Sequence, residues 1–557
     1  MGSKVKEIHP EWLGNPVFVV PENSSFKFQL GYLILFSSMK KLWVLLLTSI
    51  SLLGQNVPFV MDHPVYHFLE RQESLGRINS EYWSTRPYTY GQINDMLGEI
   101  QARSADLSAS ESRSLIRFQK EFNRELTEEG VTFPWSRTTL QGLRHPDGKD
   151  LRPFFFSYKM DETSGWINWS ETFRTQYNGE RMRGYHTDFL GIYGVRGDLA
   201  FTSQFTYHRV TKSDHFETLP DTYKEGYVLE RDYMRWISWD YPTSSLIYTH
   251  DYFSLGIHRQ PIYWGYSAGN SPILSDNTSP LAHVSWTTEM KHLRFKFIHA
   301  RLSPNGPLSQ DTTNVRRNLS AHRVEFDITD KFEFAFNEMV IYAHRDFELG
   351  YLNPVNFLFA EEHAQGDLDN KLMALDFKWR IFPGFTTYGT WFIDELDFFK
   401  LFSGWWGNKF VFQLGSSYYP RSNLPSITAE FTAARPWTYT HTYQLNSFTS
   451  GGVGLGFPQG PNSKVLSISS SWQATSALFL KWDYVYIQRG EDPGSNLFNS
   501  PSVFVDFNDE TSSFLSGKLI TSSLISLSGQ YYFSPVMSVA CKWVADEYAE
   551  LGLRLDW

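Results

Sequence analysis

The sequence predicts a mainly β protein: a transmembrane antiparallel β-barrel of about 18 strands with a small N-terminal α-helical bundle. Three observations carry that expectation. A two-residue hydrophobic period recurs from about residue 153 to the end, aromatic residues make up 17% of the chain, and the last residues alternate up to a terminal Trp557. Leu551, Leu553, Leu555 and Trp557 share one face of that last segment; Gly552, Arg554 and Asp556 share the other. Termini of soluble proteins usually fray. The last strand of a barrel closes the sheet, and its apolar face meets lipid.

The ending also resembles the C-terminal signal by which outer-membrane barrels are recognised, which implies the barrel-insertion machinery as a partner. Composition agrees. The chain has 557 residues with 19 Trp, 30 Tyr and 45 Phe, as aromatic girdles require. Mean hydropathy is −0.35, which excludes a helical membrane protein but not a barrel, whose apolar residues alternate with polar ones. The formal net charge is −10, and nothing suggests a nucleic-acid partner, which favours a concentrated basic patch. Cys541 is the single cysteine, so an internal disulfide is excluded, while the compartment stays open.

Met39-Lys40-Lys41 precedes the apolar run Leu42 to Leu53, then Gly54-Gln55. This is the pattern of a secretory signal over 39–54, with cleavage expected after Gly54. Residues 1–38 are then expected to be a leader from a misplaced start codon. The alternative is a membrane anchor at about 29–53, a span that Lys40 and Lys41 interrupt.

Residues 60–130 read as a helical bundle. Asp62 can cap a first helix with Val65, Phe68, Leu69 and Leu75 near one face and Gly76 as its stop. A second begins near Thr89 with Ile93, Met96, Leu97 and Ile100 as its stripe. A third opens with Ser108 and Glu111, the spacing of a capping box, and carries Leu115, Phe118, Phe122 and Leu126. Each is too short to be stable alone, so they bury their stripes together. Secreted and N-terminal, the bundle is expected in the periplasm, beside or beneath the barrel.

The barrel is expected over 153–557. Phe201, Phe205 and Tyr207 alternate with Thr202, Gln204 and Thr206; Leu375, Phe377, Trp379 and Ile381 alternate with Asp376, Lys378 and Arg380. Similar runs lie at 293–297, 324–328, 332–337 and 478–486. Their polar faces mix Arg294, Lys296, Lys378, Arg380 and Lys481 with Glu325, Asp327, Glu333, Asp376 and Asp483. Mixed signs can pair across strands, whereas a single-sign ring suggests an ion-selective pore. Two readings stay open: a lumen braced by charge pairs with loops folded in, or charges that only solvate a water-filled interior.

No catalytic constellation stands out, and the expectation is no enzyme, no cofactor and no metal. His63 and His67 are four apart, but no third ligand is identifiable, so they read as helix-surface residues. The glycine-rich stretch from Gly451 to Gly456 lacks a following helix to cradle phosphate, so it reads as a flexible barrel loop. Barrel hydrolases place their residues on several strands, so that class stays a minor alternative.

An ordered set of short segments resembles the Wzi-type capsule assembly proteins of the outer membrane. It starts at Asp62-His63-Pro64-Val65-Tyr66-His67 and runs through Ser84-Thr85-Arg86-Pro87-Tyr88 and Gly256-Ile257-His258-Arg259 to Tyr263-Trp264-Gly265. Leu352-Asn353-Pro354, Ile393-Asp394-Glu395, Tyr439-Thr440-His441 and Gly460-Pro461-Asn462-Ser463 complete it. Tyr266 departs from the pattern, where proline or glycine is more usual. The resemblance implies a monomeric outer-membrane barrel of a Gram-negative bacterium that attaches or assembles capsular polysaccharide or exopolysaccharide without chemical reaction. The implied partners are surface polysaccharide and outer-membrane lipid. Sugar rings stack on aromatic faces, and hydroxyls and acids want amides, carboxylates and arginines. The candidates are Arg259, Tyr263, Trp264, Asn277, Asn353, Asp394, Glu395 and Arg435, each with a structural role (girdle, turn or lumen salt bridge) as its alternative. Trp405-Trp406 reads as a glycan platform or an interfacial girdle. A channel for small solutes is the other functional class.

Overall fold

The computed structural model describes residues 57–61, 63–79, 84–122, 130–132, 156–211, 227–229, 235–304, 315–401, 403–504, 513–534 and 536–556. The expected leader and signal, Asp62, Leu126 and Trp557 lie outside them.

Three short helices come first: α1 (Pro64–Ser74), α2 (Tyr90–Ala102) and α3 (Ala109–Phe122). The α2 start is a capping box: Thr89 Oγ1 accepts from the Gln92 amide at 3.2 Å, and Gln92 Oε1 accepts from the Thr89 amide at 3.0 Å. Ser108 and Glu111 make the same reciprocal pair at α3, at 3.3 and 2.9 Å. The predicted stripes are buried and meet in one core. That core also takes Trp166, Tyr193, Val195, Ala200 and Tyr388 from the barrel wall, so the bundle is completed by the barrel rather than by itself. The expectation that His63 is a surface residue is corrected. It caps α1, its Nε2 lies 3.0 Å from Glu121, and its ring packs edge-on to Phe59 and Phe122. His67 is half-exposed and stacks on Phe479.

Among the described residues, eighteen strands close a cylinder. In chain order they are β1 (Thr163–Tyr177), β2 (Met182–Arg196), β3 (Leu199–Thr211), β4 (Trp236–His250), β5 (Phe253–Gln260), β6 (Leu281–Met290), β7 (Leu293–Leu302), β8 (Arg317–Thr329) and β9 (Phe332–Ala343). They continue with β10 (Asn370–Phe382), β11 (Phe385–Glu395), β12 (Lys409–Tyr418), β13 (Ile427–Ala434), β14 (Ser463–Gln473), β15 (Leu478–Gly490), β16 (Leu519–Ser534), β17 (Met537–Val544) and β18 (Tyr548–Asp556). Each pairs antiparallel with the next, and β18 closes on β1 with Leu551 opposite Thr175 and Leu555 opposite Glu171. Among the described residues none of the eighteen strands is left with an unpaired edge, as a lipid environment demands. Phe205, Leu246, Ile257, Phe412, Leu527 and Leu551 are exposed on the outer wall, with Trp169, Trp379 and Trp543 among them. Their alternation partners Ala200, Thr202, His208 and Val210 in β3 are buried.

One end of the cylinder carries tight connections, such as 197–198, 251–252, 291–292 and 383–384. At the other end lie 261–280, 303–316, 344–369, 396–408, 435–462 and 491–518. These ends are the short-turn mouth and the long-loop mouth of the cylinder. The 344–369 loop holds α4 (Leu349–Leu352) and α5 (Leu358–Ala364). Tyr351 and Leu358 cover Val340 and Tyr342 on the outer side of β9.

Candidate functional site

The lumen is filled from both mouths. At the short-turn mouth α1 docks by its C-terminal end. Lys378 Nζ lies 2.8 Å from Glu73 Oε1, and Arg380 Nη1 donates to the Glu73 carbonyl at 2.8 Å. The Gly384 amide donates to the Ser74 carbonyl at 2.7 Å. Gly384 has φ 93°, and a Cβ there would stand 2.5 Å from the Tyr419 carbonyl, so the turn that meets the helix needs glycine. Arg71 reaches the Pro420 and Ser422 carbonyls at 2.7 and 2.9 Å, and Arg117 reaches the Ser476 carbonyl at 2.8 Å. Behind them Glu111 gathers Arg71 at 2.9 Å, Arg77 at 3.1 Å and its own Ser108 amide. Burial alone would raise this carboxyl, but the Ser108 amide and the two guanidiniums outweigh it and hold it at about 2.

At mid-height a charge brace spans β8 to β10. Arg323 donates to both oxygens of Asp376, at 2.8 and 2.6 Å, to Glu325 at 2.8 Å and to Asn337 at 2.8 Å. Asn337 in turn donates to Asp376 at 2.9 Å. All are buried. This is the braced alternative of the two the polar faces allow.

From the long-loop mouth the 261–280 and 435–462 loops fold inward. Glu430 on β13 accepts from Ser267 Oγ, the Ala268 amide and the Tyr388 hydroxyl at 3.0, 2.8 and 2.9 Å. Tyr266 donates to Glu333 at 2.5 Å, so the residue that departs from the family pattern is a buried anchor of this loop. Arg317, fully buried, donates to the carbonyls of Leu445 and Ser447 at 2.6 and 2.8 Å. Between these anchors Trp264, Ile273, Leu274, Tyr439, Phe448, Leu455 and Phe457 pack on Ile298, Leu319, Met339, Leu372 and Phe392 of the wall. Loops folded into the lumen were one of the two open readings; the other, a water-filled interior, is corrected for this half of the lumen, which is an apolar core. The Gly451–Gly456 stretch is corrected too. It forms a hairpin of Thr449–Ser450 on Val453–Gly454, with Leu455 in that core, and not a loose loop.

The two fillings meet. Thr85–Arg86, between α1 and α2, pairs antiparallel with Tyr263–Trp264, Thr85 opposite Trp264 and Arg86 opposite Tyr263. Trp264 is completely buried and Tyr263 nearly so.

The eight candidate residues do not converge on one site. Tyr263 and Trp264 hold the internal ribbon. Asn277 donates to the Gly454 carbonyl at 3.3 Å, joining the two inward loops. Asp394 accepts from the Tyr439 amide within the same plug. Arg259 shares the outer face of β5 with exposed Leu255 and Ile257. Arg435 is buried at the rim beside Phe410 and Phe514. Glu395 pairs with Lys409 at 2.8 Å, and Asn353 is exposed after α4. Trp406 is buried, and the Trp405 ring lies 4.4 Å from the Lys400 ammonium.

What the long-loop mouth does expose is a different set: Phe347 at 61%, Phe357 at 75%, Phe398 at 71%, Phe399 with no cover at all, and Tyr443 at 54%. The adjacent pair Phe398-Phe399, outside any alternating run, was the sequence signal that could have found them. His441, two residues from Tyr443, is pushed down to about 4 by burial and then by Lys409, so it is neutral at pH 7.

The fold and this arrangement define a class: a transmembrane β-barrel plugged at both mouths, with apolar rings displayed at one. Among solved structures the chain matches Wzi, an Escherichia coli outer membrane protein involved in group 1 capsule assembly and a carbohydrate-binding β-barrel. The match has a TM-score of 0.55 at 12% identity and covers 90% of this chain and 99% of that one. At this identity the likeness shows the fold, and the fold is that of a Wzi-like outer-membrane barrel. OccK8 (OprE) of Pseudomonas aeruginosa covers 71% of this chain and 98% of its own at 8% identity and TM-score 0.40, and OccAB2 of Acinetobacter baumannii covers 72% and 98% at 8% and 0.40. No family model and no curated protein matches the sequence.

Proposed function

We propose that this protein is a non-enzymatic outer-membrane barrel that binds capsular polysaccharide or exopolysaccharide at the cell surface and helps anchor or assemble it. In this reading the long-loop mouth faces outward and the helical bundle lies on the periplasmic side. The observation that carries it is the pairing of a filled lumen with uncovered aromatic rings at the long-loop mouth. Uncovered apolar rings that face water cost free energy unless a partner covers them. The apolar C–H faces of sugar rings suit them, and the neighbouring Lys400 suits an acidic glycan. The carbohydrate-binding description of Wzi supports the same reading.

The test is equilibrium binding of the host's purified surface glycan to detergent-solubilised protein. Phe399→Ala is expected to weaken binding by about 1 kcal/mol, roughly fivefold, with the heat-modifiable barrel intact. Lack of binding to any host glycan would overturn the proposal. Deleting the gene is expected to leave synthesis intact and release polysaccharide into the medium.

A further inference from the structure

We infer that a cavity between the helical bundle and the β4–β7 wall binds a carboxylate-bearing sugar, a hexuronate. This deepens the polysaccharide reading and rests on it, but it concerns the opposite mouth. The cavity measures about 360 Å³ and lies beside the short Asp251-Tyr252 turn. That is near the lower bound of about 300 Å³ for small-molecule sites, so it suits one or two sugar rings rather than a polymer.

Its charged groups define the ligand. Lys296 alternates inward on β7, across from Thr287 of β6 and Arg323 of β8. Among the described residues its ammonium has no hydrogen-bond or ion-pair partner. The other cations lining the cavity are engaged: Arg294 by Glu289 at 3.0 Å and Thr85 at 3.0 Å, Arg86 by Glu70 at 2.6 Å. Lys296 is thus the cation left for an anion, and an enclosed ammonium gains most from one. On the facing wall Asp95 of α2 also lacks a hydrogen-bond or ion-pair partner among the described residues, and it borders the same space with Gln92. The two opposite charges face one cavity without touching.

A ligand that satisfies both walls carries one carboxylate for Lys296 and hydroxyl donors for Asp95. A phosphate dianion would meet Asp95 and Glu289 as like charges, and a neutral sugar would leave Lys296 without an anion. Gln260 and the stacked His258–His283 pair, 4.7 Å apart, add polar edges, while Tyr252, 72% exposed at the turn, offers an aromatic face for a ring.

The experiment titrates the full chain in detergent with glucuronate, glucose, inorganic phosphate and glutamate. Glucuronate is expected to bind at least tenfold tighter than the other three. Lys296→Gln is expected to lower its affinity tenfold or more, and Asp95→Asn severalfold. Both variants should keep the heat-modifiable barrel and the binding of surface polymer. Equal binding of glucose, tighter binding of phosphate or glutamate, or unchanged affinity in Lys296→Gln would overturn the inference. Should Lys296→Gln fail to fold, Asp95→Asn on the helix decides the matter alone. Polymer bound without glucuronate sinks this site and leaves the surface role. Glucuronate bound without polymer does the reverse.

Discussion

The two mouths share an apolar core with the wall but differ in what is added to it. At the short-turn mouth that core is joined by arginine and lysine reaching carbonyls and carboxylates: Arg71, Arg117, Lys378 and Arg380. At the long-loop mouth closure comes from a buried apolar core around Trp264, Tyr439 and Phe448, with Arg317 and Glu430 as pins. Hydrogen bonds are directional and fix a helix in one pose. Apolar packing is not directional, and it leaves the loop tips free to carry exposed rings such as Phe399. One mouth is built to hold, the other to display.

That contrast can be broken from the middle outward. Asp376→Ala leaves Arg323 buried without its bidentate partner and is expected to cost about 3–5 kcal/mol, read as a lower temperature for the heat-modifiable gel shift. Trp264→Ala removes the centre of the loop core at a similar or slightly smaller cost, about 3–5 kcal/mol. Trp264→Phe is expected to cost only about 1–2 kcal/mol, for lost volume, because the indole nitrogen has no hydrogen-bond partner among the described residues. In planar bilayers the wild type is expected to pass no steady current, and Trp264→Ala to admit brief openings. Large steady wild-type currents would favour a channel for small solutes instead.

At the polar mouth the lever is pH. Glu111 sits at about 2 against an ordinary 4.5, so it binds its proton more weakly folded than unfolded. Its contribution of roughly 3 kcal/mol is complete above pH 4.5 and is lost as pH falls through about 2. Protection factors of the helix amides, corrected for the intrinsic exchange rate, should fall across that window, while those of the apolar loop core hold. The smallest effect is Thr89→Ala, which removes one half of the α2 capping box at about 1 kcal/mol, detectable in the helical circular dichroism.

Much of the cylinder was legible because one face of each strand meets lipid. The alternation of Phe205 with Thr206, or of Leu551 with Gly552, states the fold directly. The dry half of the lumen was not legible. Met339-Val340-Ile341-Tyr342 is a continuous apolar run, since the loop core covers one face and α4 and α5 cover the other. A strand buried on both sides loses its period. Inward loops were one of two open readings, but which loops enter was hidden: connections normally run over the surface, so Trp264 reads as a glycan-site candidate and Tyr439 only as part of a family-like segment. Capping boxes are local: the Ser108–Glu111 spacing states one outright, whereas at α2 only the start near Thr89 is legible and the Gln92 half of the box is not. Lys296, without a hydrogen-bond or ion-pair partner among the described residues, was visible only as one charge among several, because partnership is a property of three dimensions.

The ribbon of Thr85–Arg86 on Tyr263–Trp264 acts as a depth gauge. Along a strand, a slip of one residue turns every side chain to the opposite side. Such a slip would drive the Arg86 guanidinium into the place of a methyl-bearing threonine and swing the indole out of its socket. The inner stopper therefore has one permitted insertion depth.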